Sequence, residues 1–349
     1  MIVLSLFGGM ECGRITLDRI GVTPTQYYSA EVDKFAIAEV SANYPDVVHL
    51  GDVTRWREWD VPWGDVDLVI GGSPCQGFSF AGKQLAFDDP RSALFFEYVN
   101  ILRHCQMMGR LFRGKEPWFM LENVRMARQH LDVITEYLSV EPVFINSALV
   151  CAQNRQRYYW CNWPVPQPED RGILLADILE SDGVGVVRNR GVWREVTSDK
   201  STCLVANYYK GMDNHAMRTC VMDNFNVNSA AMVGRKIDPI TGKRNDYSNS
   251  IKTEQYLEVS DSGKSRCLST VAKDTLISNM SPGRYKVSSG VSFRMLTVTE
   301  CCRLQGVPDD YFKVSSNTQA YKMLGNGWQV DTIEHIFNHC PLFQGDSQS

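Results

Sequence analysis

A cysteine in a glycine-rich segment has the surroundings in this chain that most favour chemistry. Cys75 lies within residues 71–79 (Gly-Gly-Ser-Pro-Cys-Gln-Gly-Phe-Ser), directly after the largely apolar run 67–70. That run predicts a buried parallel strand, and ligands of open α/β sheets bind at the carboxyl ends of strands. Pro74 restricts the backbone before the thiol, and the glycines let a second molecule approach closely. The pattern favours a nucleophilic cysteine, with a buried core cysteine as the alternative.

Three further side chains could act beside this thiol. Glu122 follows residues 117–121, which predict the next strand of the sheet. A carboxylate there could face the thiol across a crevice and, held partly away from water, share a proton with a ring nitrogen. Arg155 and Arg157 alternate along an extended segment, so their guanidinium groups point the same way and suit an anionic or carbonyl-rich ligand. A surface salt-bridge pair is the alternative for the two arginines.

Earlier strand ends indicate a nucleoside-like ligand. Residues 2–7 predict a first strand, and the glycine-rich turn over 7–13 lets a ligand approach the N-terminus of the next helix. Glu31 ends the second predicted strand and is placed to accept hydrogen bonds from ribose hydroxyls. Asp52 follows the third strand and could accept from an adenine amine. Either acid alone is more often a helix N-cap, but three such strand ends in succession favour a nucleoside cofactor.

These residues need strands and helices that bring them to one edge of a sheet. The order of predicted strands and helices in the first 165 residues is that of an α/β domain with a parallel sheet. The proline-rich stretch 164–168 is a candidate boundary. Residues 184–290 are rich in Ser, Thr, Asn and Gly and predict short strands. Thr297 and Glu300 have capping-box spacing, which predicts the start of a later helix.

Composition restricts the class of protein. A length of 349 residues suggests about two domains, and 44% hydrophobic with 22% charged residues is typical of a globular protein. The first seven residues lack a cationic flank and predict a strand rather than a signal peptide, and no apolar run is long enough to predict a membrane span. The 11 cysteines are scattered, which argues against a disulfide framework or a zinc site and fits a reducing compartment.

The charge is distributed unevenly along the chain. The net charge is −4, from 36 Lys and Arg against 40 Asp and Glu. Between Arg188 and Lys286 there are 16 basic and 10 acidic residues, a balance of +6, so the remainder carries 20 against 30, or −10. The middle of the chain is therefore its basic part, which suggests a nucleic-acid partner, with an ordinary solvated surface as the alternative.

The ordered set of motifs resembles that of the C5-cytosine-specific DNA methyltransferases. The resemblance covers nearly all of residues 1–165 and 290–340. The motifs that carry it, in chain order, are Leu6-Phe7-Gly8-Gly9, Glu31, Gly51-Asp52, Gly72-Ser73-Pro74-Cys75-Gln76, Glu122-Asn123-Val124, Gln153-x-Arg155-x-Arg157, Arg294-x-Leu296-Thr297, Gln305-Gly306 and Gly325-Asn326.

The resemblance implies an α/β fold with a Rossmann-like sheet of the S-adenosylmethionine-dependent methyltransferases and a smaller, irregular, β-rich target-recognition domain. Residues 1–165 with 291–349 would form the catalytic domain, and 166–290 would form the recognition domain. The implied activity is transfer of a methyl group from S-adenosylmethionine to C5 of a flipped cytosine in a specific duplex sequence. We expect a monomer that binds double-stranded DNA, needs no metal and no membrane, and works in the cytoplasm of a bacterial or phage-infected cell.

The resemblance also implies roles for individual residues. Cys75 would add to C6 of the cytosine, Glu122 would contact N3 and the exocyclic amine, and Arg155 and Arg157 would hold the base and the catalytic groups. The residues implied for cofactor binding are Phe7, Gly9, Glu31, Val32, Asp52, Val53, Pro74, Leu94 and Asn326.

The chain departs from the family pattern at two places. Gly8 stands where relatives commonly have Ala, Ser or Asp, and Gly327 with Trp328 replaces a Ser-Val pair. Two alternative functions remain open. An RNA cytosine methyltransferase of the same architecture usually carries a Cys-Phe-Thr tripeptide, which this sequence lacks; a non-catalytic DNA-binding relative would not need the complete set of reactive residues.

Overall fold

A computed structural model describes most of the chain. The described residues are 1–73, 93–180, 183–189, 192–196, 200–211, 213, 215–223, 228–238, 241, 250, 252–259, 276–278, 283–286 and 294–344. Pro74 and Cys75 lie outside them. The chain divides into two compact units, the first of which comprises Met1–Ile178, Ser198–Gly211 and Thr297–Ser349, and the second Leu179–Thr197 and Met212–Leu296. The domain boundaries predicted at residues 165 and 291 stay a prediction.

The first unit is built on a seven-stranded sheet. Its strands are β1 (Ile2–Leu6), β2 (Gln26–Ala30), β3 (Val47–His49), β4 (Leu68–Gly71), β5 (Trp118–Val124), β6 (Pro142–Asn146) and β7 (Gln156–Cys161). They lie in the order β3-β2-β1-β4-β5-β7-β6. The pairs from β3 to β5 are all parallel, whereas β7 runs antiparallel to both of its neighbours. The predicted α/β fold with a Rossmann-like sheet is confirmed.

The chain reverses its direction of travel across this sheet between β1 and β4. From β1 it passes to β2 and β3 on one side, and then returns to β4 and β5 on the other. A crevice opens at the carboxyl ends of the strands that flank such a reversal, and ligands of doubly wound sheets bind there. In this chain the residues that follow those two strands are Phe7 and Gly72.

Helices cover both faces of the sheet. They are α1 (Cys12–Arg19), α2 (Lys34–Asn43), α3 (Ala93–Arg113), α4 (Arg128–Leu138), α5 (Val298–Gln305), α6 (Asn317–Asn326) and α7 (Val330–Asn338). Successive strand side chains point to opposite faces. Leu4 and Leu6 therefore pack with α3 and α4 in one buried cluster, whereas Val3 packs with α1 and α7 in another. Both faces of the sheet are apolar, as the continuous apolar runs predicted.

Helix α6 has no counterpart among the sequence predictions, which named Gly325-Asn326 only as a family motif. Its buried residues Ala320, Met323 and Leu324 follow helical spacing. Gly325 lies in the last turn of α6, where another segment of the chain passes very close. A Cβ atom at this position would lie 2.2 Å from the backbone nitrogen of Ala206. Glycine at this position therefore serves close packing rather than a turn.

The second unit contains two antiparallel sheets of four short strands. One has the order β15-β10-β8-β9, with β8 at Gly183–Asn189, β9 at Val192–Glu195, β10 at Cys220–Asp223 and β15 at Arg294–Met295. The other has the order β13-β11-β12-β14, with β11 at Asn228–Arg235, β12 at Glu254–Val259, β13 at Leu276–Ser278 and β14 at Gly283–Lys286. This unit contains the short strands predicted for the middle of the chain.

Two further observations concern the described residues alone. No helix among them combines the length and the apolar character needed to cross a bilayer. Within the same part of the chain, no cluster of His, Cys, Asp or Glu is arranged to hold a metal ion.

The predicted capping box is confirmed and gives a stability prediction. The Thr297 hydroxyl accepts from the Glu300 backbone N–H at 3.1 Å, and the Glu300 carboxylate accepts from the Thr297 N–H at 2.8 Å. Because Thr297→Ala removes the acceptor of a partly buried helix end, we expect the free energy of unfolding to fall by about 1 kcal/mol in urea titration. Thr297→Ser should restore most of it. The control is Thr299→Ala on the first turn of α5; an equal loss there would contradict the capping role.

Candidate active site

A cavity of about 420 Å³ lies in the first unit, at the carboxyl ends of the central strands. The turn after β1, the end of β2, and the exits of β4 and β5 supply its walls, together with the two predicted arginines and the loop after α6. Its lining residues are Phe7, Gly8, Gly9, Met10, Cys12, Glu31, Asp33, Ala36, Gly72, Ser73, Glu122, Asn123, Val124, Arg155, Arg157, Lys322, Met323, Gly325, Asn326, Gly327 and Trp328. The cavity thus occupies the crevice that the strand order creates.

Glu122 and Arg157 form an ion pair in this cavity. Nε of Arg157 lies 2.8 Å from Oε1 of Glu122, and the two side chains are only 14% and 11% exposed. Strand pairing sets this contact, because Glu122 is opposite Tyr159 and Val124 is opposite Arg157 in the antiparallel β5–β7 ladder. Each charge compensates the other where water is scarce. A carboxylate fixed in this way offers its second oxygen to a ligand in a defined direction.

Arg155 is more deeply buried and ties together segments that are distant in sequence. Its guanidinium donates to the carbonyl oxygen of Gly327 at 2.7 Å and to that of Leu204 at 3.4 Å. Only 2% of its surface is exposed. Arg155 therefore fixes the loop after α6, whereas Arg157 holds the carboxylate of Glu122.

Two buried glutamines support the same loop. Nε2 of Gln153 donates to Oε1 of Gln305 at 3.2 Å, and Oε1 of Gln153 accepts from the Leu204 backbone at 2.8 Å. Gln305 in turn donates to the carbonyl oxygens of Leu324 and Gly327. Both amides are almost fully buried, and buried amides of this kind fix a structure only when their hydrogen bonds are made. The cavity wall opposite the strands therefore depends on a polar network.

Glu31 holds the glycine-rich turn as well as lining the cavity. Its Oε2 accepts from the Gly9 backbone N–H at 2.8 Å, and its Oε1 accepts from the N–H groups of Val32 and Asp33 at 2.7 Å each. A carboxylate can accept about four hydrogen bonds, so the three backbone contacts leave capacity for a ligand hydroxyl.

Trp328 stands beside the reactive part of the cavity. Its Nε1 atom lies 2.8 Å, and Oε2 of Glu122 lies 3.1 Å, from the position that a Cβ atom on Gly72 would take. The indole and the carboxylate therefore both reach the residue that follows β4. The sequence marked Trp328 only as a departure from the family pattern, and no role was predicted for it.

The thiol of Cys12 also lines the cavity, but its surroundings suppress its reactivity. Burial raises the pKa of Cys12 to about 12, so it stays protonated and weakly nucleophilic at neutral pH. Among the described cysteines, Cys203 is the one that is not fully buried, and it is not among the lining residues.

The sequence comparisons agree with one another. The family model described as C-5 cytosine-specific DNA methylase matches residues 1–341. The type II methyltransferase M1.ScrFI of Lactococcus lactis subsp. cremoris is 30% identical over 359 residues, covering 96% of this chain and 76% of that protein. M.NlaX of Neisseria lactamica is 27% identical, covering 96% of this chain and 94% of that protein. The chain belongs to the C-5 cytosine-specific DNA methylase family.

Solved structures support the fold of this methylase. EhMeth, a methyltransferase of Entamoeba histolytica, gives a TM-score of 0.58 at 12% identity, covering 100% of this chain and 99% of that one. A putative DNA modification methyltransferase encoded within an E. coli prophage gives 0.52 at 16% identity, covering 97% and 99%.

The predicted site residues of the methylase fall into three groups. Those on the cavity are Phe7, Gly9, Glu31, Glu122, Arg155, Arg157 and Asn326. Cys75 and Pro74 lie outside the described residues. Val32, Asp52, Val53 and Leu94 are not among the lining residues, and their assignment to cofactor binding stays a prediction.

The four predicted cofactor residues that do not line the cavity differ in their surroundings. Asp52 accepts from the N–H and the hydroxyl of Thr54, each at 2.9 Å, and caps a short 3-10 helix. The hydrogen bond from the Thr54 backbone N–H lowers the pKa of the Asp52 carboxyl. Val53 is buried and Leu94 packs against the same apolar cluster, whereas Val32 is 69% exposed.

Sequence reasoning missed a second group of lining residues on α2 and α6. Asp33 caps α2 by accepting from the Phe35 N–H at 3.0 Å, and its other oxygen pairs with Nζ of Lys322 at 2.7 Å. The bridge joins residues 289 positions apart. Helical spacing over residues 317–326 was the signal that could have placed Lys322 on a helix at the cavity.

Glu11 gives a pH-dependent stability prediction. Burial raises the pKa of this carboxyl to about 6 from an ordinary 4.5, while hydrogen bonds from Tyr27 and Ser5 oppose the shift. The fold therefore favours the neutral acid. That preference stabilises the protein fully below pH 4.5 and is lost as the pH rises through 6, a change of about 2 kcal/mol.

We expect Glu11→Gln to remove this dependence, because an amide does not ionise. Urea unfolding of both proteins between pH 4.5 and 7.5 measures it: the wild-type free energy of unfolding should fall relative to that of Glu11→Gln as the pH rises. A difference between the two proteins that stays constant with pH would contradict the buried ionisation.

Proposed function

We propose that this methylase transfers a methyl group to C5 of a flipped cytosine in double-stranded DNA, through a covalent bond between Cys75 and C6 of the base. The Glu122–Arg157 ion pair carries the proposal, since it fixes a carboxylate in the crevice that β4 and β5 border. In the sequence, Cys75 follows β4 by four residues. A nucleophile and an acid from adjacent strand ends are the groups that this reaction needs.

The cavity suits S-adenosylmethionine, the methyl donor of this family. Its volume of about 420 Å³ is within the range of small-molecule sites. Phe7 and Trp328 offer aromatic surface, Glu31 offers acceptor capacity to a ribose, and Gly9 and Asn326 border the same space. We propose that Val32, Asp52, Val53, Pro74 and Leu94 complete the binding site. When bound, the donor supplies a methyl group attached to a positively charged sulfur.

The protein's own residues would prepare the cytosine for attack. Glu122 would contact N3 and the exocyclic amine, and a proton held at N3 makes C6 more electrophilic. Arg157 would keep the carboxylate in place, and Arg155 would hold the loop against which the base rests. The thiolate of Cys75 would form the S–C6 bond, which raises electron density at C5. After C5 has been methylated and has lost its proton, the S–C6 bond breaks and the thiolate leaves.

The proposed substrate is a cytosine inside duplex DNA. A base inside a duplex must rotate out of the stack before a thiol can reach C6, at a cost of a few kcal/mol. We propose that residues 166–290, within which Arg188 to Lys286 carry a balance of +6, select the sequence. Contacts with phosphates would make binding weaken as salt rises, and the enzyme would act as a monomer on cytoplasmic DNA. Bisulfite sequencing of DNA from cells that express the protein identifies the site.

The covalent step gives the first functional prediction. Duplex DNA that contains 5-fluorocytosine in the recognised site should form a denaturation-resistant adduct with the wild-type protein and S-adenosylmethionine, because fluorine at C5 prevents the release step. Cys75→Ala should form none. Cys340→Ala, which removes a buried thiol outside the cavity, is the control and should form the adduct. Adduct formation by Cys75→Ala would assign the nucleophile to another residue.

The role of Glu122 gives a second prediction. Glu122→Gln keeps the size of the side chain, but an amide cannot share a proton with N3 of the cytosine. The value of kcat should therefore fall by about 100-fold or more, while binding of S-adenosylhomocysteine changes little. Glu58→Gln is a matched control, since Glu58 pairs with Arg55 on the exposed surface. Wild-type kcat in Glu122→Gln would contradict the role.

Parallel assays with tRNA test the RNA alternative. Methyl transfer to tRNA and not to DNA would establish that alternative.

A further inference from the structure

The glycine-rich turn after β1 is anchored to β2 and closed on itself. The Gly8 backbone N–H donates to the Ala30 carbonyl oxygen at 3.2 Å, and the Glu11 N–H donates to the Gly8 carbonyl oxygen at 2.9 Å. From the other side, Glu31 accepts from the Gly9 N–H at 2.8 Å. Gly8 and Gly9 both line the cavity, so the path of this backbone forms part of the cavity wall.

The carboxylate of Glu11 fills the space beneath the turn. Its Oε2 accepts from the Tyr27 hydroxyl at 2.6 Å and from the Ser5 hydroxyl at 2.9 Å. These two bonds fix the carboxylate against β1 and β2, and only 1% of Glu11 is exposed. A Cβ atom on Gly8 would lie 1.8 Å from Oε1 and 2.6 Å from Cδ of Glu11. Glu11 thus occupies the volume that a side chain at position 8 would need.

The backbone of Glu11 points to the same conclusion. Glu11 has φ 57° and ψ 52°, in the left-handed region that side chains other than glycine rarely adopt. Such a conformation persists only where surrounding contacts determine it. The contacts to Ser5 and Tyr27 supply that determination.

We infer that Gly8 and Glu11 form a coupled pair, in which the Glu11 side chain holds the turn in the shape that binds the methyl donor. Glu11 is then a positioning residue that acts through the backbone of Gly8 and Gly9, and its position explains why residue 8 is glycine. The inference rests on the proposed function, since it concerns the donor of that reaction.

A double-mutant cycle tests the coupling. Isothermal titration with S-adenosylhomocysteine measures Kd for the wild-type protein, Gly8→Ala, Glu11→Gly and the double variant. Glycine suits the left-handed backbone of position 11, so Glu11→Gly should fold. We expect Gly8→Ala to raise Kd about tenfold or more and Glu11→Gly to raise it by about threefold or more.

The double variant decides the matter, because the methyl group introduced at position 8 meets no carboxylate in it. Its Kd should be at least about fivefold lower than the product of the two single effects predicts. Single effects that multiply would overturn the inference. Glu11→Gln, which keeps the size of the side chain, should bind within about threefold of wild type; a loss as large as that of Glu11→Gly would also overturn it.

Two controls separate donor binding from a general loss of stability. Gly109→Ala would also make a severe collision, 2.5 Å from the Lys115 carbonyl oxygen, at a position that does not line the cavity. It should lower Tm without changing Kd, whereas Gly8→Ala should change Kd well below its own Tm and raise KM for the donor more than it lowers kcat. If wild type itself fails to bind S-adenosylhomocysteine, the proposed function fails; if wild type binds and the cycle is additive, only the coupling fails.

Discussion

The ion pair between Glu122 and Arg157 is the contact on which the site depends. Two charges that are each less than one sixth exposed need one another, because removing either leaves the other poorly solvated. Their distance is set by the register of β5 against β7, the strand that runs against the rest of the sheet. A slip of β7 by one residue would turn Arg157 to the other face of the sheet, away from Glu122. The antiparallel strand β7 thus supplies the crevice with a cation, Arg157, from the sheet itself.

Around this pair, the cavity is closed by groups that work through the backbone. Arg155 and Gln305 donate to the Gly327 carbonyl oxygen in the loop after α6, and Gln153 donates to the side chain of Gln305. Glu31 accepts from the N–H of Gly9. Polar side chains of this kind fix loops that carry little apolar surface of their own. The wall of the cavity is therefore shaped by polar side chains both on its surface, such as Glu31, and behind it, such as Gln305.

The strand-end rule explains which parts of the site could be predicted from the sequence. Glu122, Glu31 and Phe7 follow apolar runs, and parallel strands bring such positions to one edge whatever the loops do. Lys322 and Trp328 were missed because Gly325-Asn326 was taken only as a family motif, without the helix α6 that leads to it; the close approach of Ala206 explains the glycine. Asp52 was assigned to the cofactor from its place at a strand end, yet it caps the short helix that follows. A helix cap and a ligand contact need the same residue type at the same place, so the sequence does not distinguish them.

Long-range contacts explain why the first unit needs its C-terminal segment. The Tyr311 hydroxyl donates to the Met10 carbonyl oxygen at 2.6 Å, and Arg19 pairs with Asp331 at 2.9 Å. The turn after β1 and helix α1 are thus completed by residues about 300 positions later. Contacts of such separation form only after long loops have closed, which slows folding. Residues near both ends of the chain therefore meet in one unit, at the turn whose Gly8, Gly9 and Met10 line the cavity.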